Sequence, residues 1–251
     1  NKTGDERYEY LFPSIDFQTN LLNSEKLGIL DLNTLVDVRN FDGNKQTEFL
    51  VNDLNFSSLK NRSKNGLETQ LKGLIKGVNY RSKKVSNLKN EDTNNELSGV
   101  LSYQGKYDLF KESSTKFEEF TPRFSLRYSP TNDMRQLKSG ERLTYSNLYE
   151  INKMSEIDVI ENGLSLALGF EYNQSKKMSN NILKDKFDIS LGQVISANEN
   201  PSMPSESSLG QRFSDVVGDI NFFATDDLEI NYNFSLDQNY KELIGNDVVV
   251  G

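Results

Sequence analysis

The chain contains no His and no Cys. That removes the commonest zinc ligands, all thiol chemistry and the usual Ser-His-Asp and Cys-His arrangements. There is no Walker loop and no G-x-G-x-x-G. Chemistry would have to rest on carboxylates, Lys, Ser or Tyr. Two carboxylate pairs stand out, Glu118 with Glu119 and Asp226 with Asp227. Paired acids must converge on one bond. Neighbours in a strand point to opposite faces, so Glu118 and Glu119 diverge if extended. Asp226 and Asp227 fall in a polar turn. The run Asn90-Glu91-Asp92-Thr93-Asn94-Asn95-Glu96 offers oxygens to Ca²⁺, but without the Gly and the spacing of an EF-hand loop it reads as a plain loop. No catalytic, cofactor or metal site is expected, and the chain does not read as an enzyme.

The net charge is −8. Phosphate neutralisation needs a basic surface, so nucleic acid is not an expected partner. The cations Arg81, Lys83 and Lys84 are soon followed by Glu91, Asp92 and Glu96, as in a solvated loop. No stretch approaches the roughly 18 to 20 apolar residues of a spanning helix. The sequence opens on Asn1 without a signal peptide, and a processed product or a fragment is expected.

The elements carry the message. From Leu228 to Asp237 every even position is apolar or aromatic and every odd one polar. Leu164, Leu166, Leu168, Phe170 and Tyr172 alternate with Ser165, Ala167, Gly169, Glu171 and Asn173 in the same way. Phe124, Leu126 and Tyr128 alternate with Arg123, Ser125 and Arg127. So does the run from Leu30 to Arg39, with Leu35 its one misfit. Period two is the strand period, with one greasy face and one wet. Weaker candidates span 8–16, 47–58, 67–80, 97–107, 142–150, 186–195 and 213–223. Slips at Leu74-Ile75 and Phe222-Phe223 predict bulges. The total is roughly eleven or twelve strands of about 9 to 13 residues, longer than ordinary globular strands and long enough to cross a membrane at a tilt. The segments 83–95, 174–185 and 198–210 read as long loops and 41–46 as a short turn. Their order along the chain does not fix an orientation.

The fold class expected is all-β, an antiparallel up-and-down transmembrane β-barrel, here one partial domain of a larger barrel. Lumen-facing candidates are Arg123, Arg127, Glu171, Glu229, Asn231, Asn233 and Asp237, whose mixed charges suggest a hydrated interior. Lipid-facing candidates are Phe124, Leu126, Leu164, Leu166, Leu168, Phe170, Leu228, Ile230, Phe234 and Leu236. Arginine placed at Ile230 or Leu166 is expected to be costly, and at Asn231 or Ser165 mild. A soluble all-β binding protein shares the same alternation, with its polar side toward water. A porin or receptor barrel is the other alternative.

One segment adds a resemblance. Phe120-Thr121-Pro122-Arg123-Phe124-Ser125-Leu126-Arg127-Tyr128-Ser129-Pro130, followed by Met134-Arg135, resembles a box of the LPS-assembly outer-membrane protein family, LptD or organic solvent tolerance protein, in its α-proteobacterial form. Arg7 to Pro13, Phe49 to Asp53, Ser207 to Leu209 and Leu228 to Asp237 resemble further parts of that family in order. The resemblance implies an integral outer-membrane barrel that receives lipopolysaccharide from a periplasmic bridge protein and places it in the outer leaflet. It also implies a plug lipoprotein inside the barrel and a lateral opening between its first and last strands. This chain would supply middle strands, without the periplasmic jellyroll domain or the closing strands. Val248-Val249-Val250-Gly251 is expected to end without a closing aromatic strand, and no gate or lipid-contact residue carries over.

Overall fold

The computed structural model describes residues 9–251 except 42, 87, 89–91, 131–136, 138–141, 179–181, 226 and 227. Arg7, Tyr8, Asn90, Glu91, Met134, Arg135, Asp226 and Asp227 therefore lie outside the described residues.

The strands are β1 (Glu9–Ser24), β2 (Gly28–Phe41), β3 (Lys45–Ser58), β4 (Asn61–Arg62), β5 (Leu67–Lys83), β6 (Asn94–Tyr107), β7 (Leu109–Glu112), β8 (Lys116–Ser129), β9 (Gly163–Lys177), β10 (Leu183–Ser196), β11 (Val216–Phe223), β12 (Glu229–Leu236) and β13 (Leu243–Val250). All belong to one antiparallel sheet. Eleven stand side by side in chain order, β1-β2-β3-β5-β6-β8-β9-β10-β11-β12-β13. The short β4 carries β3 onward along β5, and β7 carries β6 onward along β8. The two outer strands, β1 and β13, do not meet, so the sheet is an open arc.

Alternation makes these segments strands, because each buries one face and wets the other. The β2–β3 pair runs unbroken from Gly28↔Ser58 to Phe41↔Lys45. Its turn holds Gly43 and Asn44 at φ 82° and 58°, the left-handed pair that matches a tight hairpin to strand twist.

Several expectations are corrected. Residues 142–150 are not a strand. β8 pairs directly with β9, which leaves that segment without an edge to join. Leu74-Ile75 and Phe222-Phe223 are not bulges, since the register passes through both unbroken. Register shifts fall instead in β1, between Asp185 and Phe187, and between Ser235 and Leu236. The expected loop over 174–185 is mostly strand, because β9 and β10 pair out to Lys177 and Leu183. The residues before Gly251 form β13 against β12, a strand without an aromatic residue.

The described strand order resolves the rims. In a meander, alternate connections share an end. One rim carries 25–27, 63–66, 113–115, 178–182 and 224–228, all connections of five residues or fewer. The other carries 42–44, 84–93, 130–162, 197–215 and 237–242, and so every long connection.

Candidate functional site

The sheet has an apolar face and a polar face, and their burial is inverted. Cross-strand partners Leu126↔Leu166 and Phe124↔Leu168 share the apolar face with Phe170, Ile230, Phe234 and Leu236. Nothing covers it among the described residues: Leu126, Leu164, Leu168 and Leu228 are exposed, and Phe124, Leu166, Phe170, Ile230, Phe234 and Leu236 are half-buried. The polar face holds the core. The clearest contrast is between neighbours: Leu74, on the polar face, is 4% exposed, and Ile75, on the apolar face, is 50% exposed.

What buries the polar face is the described end of the longest connection, residues 142–162, called the strap below. Thr144 and Asn147 lock its start: the Thr144 N–H donates to Asn147 Oδ1 at 2.9 Å. Leu143, Tyr145, Leu148 and Tyr149 pack with Ala167, Val194 and Val217 of β9, β10 and β11 and with Met203 and Leu209 of the next long connection. Ile151 and Ile160 pack on Leu74 and Val100. Ile157 packs on the cluster of Phe49, Val51, Val78 and Tyr80. At the far end Arg142 donates to the Ile244 carbonyl of β13 at 3.2 Å. The strap therefore crosses the sheet from β3 to β13.

Polar-face side chains grip it by its backbone carbonyls. Lys76 donates to Ile157 O at 2.9 Å, Gln104 to Tyr149 O, and Arg127 Nε to Ile151 O at 2.7 Å. Each hook satisfies a carbonyl that burial would otherwise orphan. The floor is glycine. A Cβ on Gly192 would overlap Leu148, and one on Gly169 would overlap the Tyr149 hydroxyl.

A charged cluster lies beneath. Arg127, Lys153 and Glu161 are each under 5% exposed at the side chain. Lys153 Nζ stands 3.3 Å from Glu161 Oε2, and Arg127 Nη1 faces Glu161 Oε1 at 3.7 Å. Arg127 also donates to the Glu161 carbonyl. Burial alone would raise the Glu161 carboxyl, but Lys153 and Arg127 outweigh it and hold it below the ordinary carboxylate range. Burial pushes Lys153 below the ordinary lysine range. A buried carboxylate between two buried cations is a latch, because removing it strands both.

Toward the short-turn rim the polar face is wet. Arg123 pairs with Glu171, which also accepts the Tyr145 hydroxyl at 3.2 Å, and lies over the Tyr149 ring at 4.3 Å. A cavity of about 340 Å³ opens there, lined by Lys60, Lys72, Gln104, Arg123, Tyr149 and Glu171 among others.

Placed on this frame, Arg123, Glu171, Asn231 and Asn233 are half-buried on the polar face, and Glu229 is exposed on it. Arg127 departs from the expected hydrated group, being 1% exposed beneath the strap. Asp237 is no wall residue. It lies past β12 and accepts the N–H groups of Asn239, Lys241 and Glu242 at 3.1, 2.6 and 2.8 Å, the last foremost in holding its carboxyl below the usual range. Ser165, expected to tolerate arginine, is 5% exposed under the strap. Glu118 and Glu119 diverge: Glu118 accepts from Tyr172 at 3.1 Å and Gln174 at 3.2 Å, and Glu119 from Thr121 at 3.5 Å. Among the described residues no group of three or more acidic side chains could hold a metal ion. Alternation alone did not expose the strap. The signal that could have done so is the apolar residues on polar-face positions: Leu35, Leu74, Val194 and Val217.

A family model described as LptD, LPS transport system D, matches residues 61–248, from β4 into β13. The chain belongs to the LptD family. Comparison with curated proteins gave no match. LptD proteins are outer-membrane proteins of lipopolysaccharide transport and outer-membrane assembly, a transport family and not an enzyme family. The chain presents an open antiparallel sheet with its apolar face exposed among the described residues.

Proposed function

We propose that this arc is part of the wall of an outer-membrane barrel that delivers lipopolysaccharide to the outer leaflet. The inverted burial carries the reading. A soluble sandwich hides its apolar face; here the apolar face is bare and the polar face holds the core. Lipid is the solvent that suits the bare face, so Phe124, Leu126, Leu164, Leu166, Leu168, Phe170, Leu228, Ile230, Phe234 and Leu236 meet acyl chains. Arg123, Glu171, Glu229, Asn231 and Asn233 line the conduit. Tyr128 toward one rim and Phe120 with Tyr172 toward the other fit headgroup depth. The long-loop rim faces outward and the short connections face the periplasm. The partners are those of the family's transport system: lipopolysaccharide, a periplasmic bridge protein and a plug lipoprotein within the completed barrel. Other strands of the same protein pair with β1 and β13 to close the arc.

Arginine scanning tests this in the full-length protein folded into lipid vesicles. Leu168→Arg should cost about 2–4 kcal/mol and Asn231→Arg close to none. Equal costs on the two faces would refute lipid exposure. A porin-type conduit without this substrate would pass the same test but would show no lipopolysaccharide delivery to a reconstituted outer leaflet.

A further inference from the structure

We propose that residues 142–162 are a built-in plug, a separable body that closes the long-loop half of the polar face to water and solutes. This deepens the conduit reading above and rests on it, since a plug matters only where the polar face lines a passage. Three observations carry it. First, the strap is not part of the sheet: β8 and β9 pair with each other along their length, and the strap lies over the polar face of strands from β3 to β13. Second, its seat is shaped for it. Gly169 and Gly192 leave room for Tyr149 and Leu148, and Ala167, Val194 and Val217 offer apolar contact on a face otherwise given to polar side chains. A bare polar conduit has no use for these residues. Their apolar atoms would stand in water, and a glycine weakens a strand unless something must approach closely.

Third, the polar attachments between strap and sheet run through side chains: hooks onto backbone carbonyls, the Tyr145–Glu171 contact and one latch, Arg127–Glu161–Lys153. Two latch members ride on the strap and one on β8. Such a body can lift as a unit without breaking a strand ladder. Gly163, where the strap joins β9, has φ +95° with open space around it, a backbone position suited to a pivot. The short-turn half of the polar face, with its cavity beside Arg123 and Lys72, stays wet while the strap is seated.

The chain has no cysteine, so single thiols report local access. The full-length protein, with any thiol outside this chain blocked, is reconstituted in vesicles and treated with a bulky, charged, membrane-impermeant methanethiosulfonate. Val194→Cys, under the strap, should react at least about tenfold slower than Glu229→Cys on the open half, as protection by a closed local structure requires. Adding Leu148→Asp, or Lys153→Met should the first variant fail to fold, should bring the Val194→Cys rate up to that of Glu229→Cys. Equal rates in the protein without a strap mutation would overturn the plug. Protection that survives in folded strap variants would overturn its separability. Leu168→Cys reads the membrane assignment independently: it should be silent to the aqueous reagent. If it reacts, the lipid-exposure reading fails, whatever Val194→Cys shows.

Discussion

The polar face is two surfaces joined at its middle. Toward the long-loop rim it is dry, with Leu74, Val100, Val194 and Val217 under the strap and Arg127 wholly enclosed. Toward the short-turn rim it is wet, with Arg123, Lys72 and Glu171 around an open cavity. The same strands build both, and both obey the same alternation. Side-chain polarity therefore does not tell which half is hydrated; what covers the face decides. An arginine near water and an arginine in the dark do different work. Arg123 pairs with a half-exposed Glu171, while Arg127 holds up a neighbouring backbone and shares a carboxylate with Lys153.

The largest expected effect separates the two halves most sharply. Glu161→Gln leaves Arg127 and Lys153 buried without a counter-charge, and should cost about 3–5 kcal/mol in urea unfolding from vesicles. Glu171→Gln, in the wet half, should cost about 1 kcal/mol or less, as exposed pairs do. Similar costs would erase the distinction between dry and wet. Next, Leu148→Ala empties the glycine-floored seat and should cost about 2–5 kcal/mol, seen as a lowered midpoint with an unchanged denaturant slope.

Acid should act on the dry half. The Glu161 carboxyl is held low by Lys153 and Arg127, with Ser165 adding a hydrogen bond. Its contribution is complete above the ordinary carboxylate range and is lost as pH falls through its own lower value. The urea midpoint should thus hold at mildly acidic pH and fall only below the range where free carboxylates titrate. A fall already near neutrality would contradict the latch. A comparably small effect is expected of Ser102→Ala, which deletes the buried Ser102–Ser125 hydroxyl pair at 3.0 Å between β6 and β8 and should cost about 1 kcal/mol.

Much of the wall was legible, because period two is a direct print of a strand with unlike faces. The runs around Leu30, Leu126, Leu168 and Tyr232 all fall in β-strands, with their alternating apolar residues on one face of the sheet. The strap was not legible, for a physical reason: Leu143 and Tyr145 alternate as a strand would, and nothing local says that no edge is free for them. That single misreading had a long reach. One extra strand between β8 and β9 exchanges the rims of everything after it, and a long loop over 174–185 sets two long connections at opposite ends of one strand. The apolar misfits told the rest. Leu74 looked like a bulge because its partner, the strap, lies far off in sequence.

The strap also constrains the order in which the protein can be built. It lies in the middle of the chain, yet its contacts reach back to β3 and forward to Val194, Val217 and β13. Strands added one by one from the amino terminus would leave it hanging after β8, with half its seat unmade. Only when β10 and β11 have joined can Leu148 find Val194 and Val217. The segment is then a keystone, the piece laid last, and its closure would mark a barrel whose neighbouring staves are already in place.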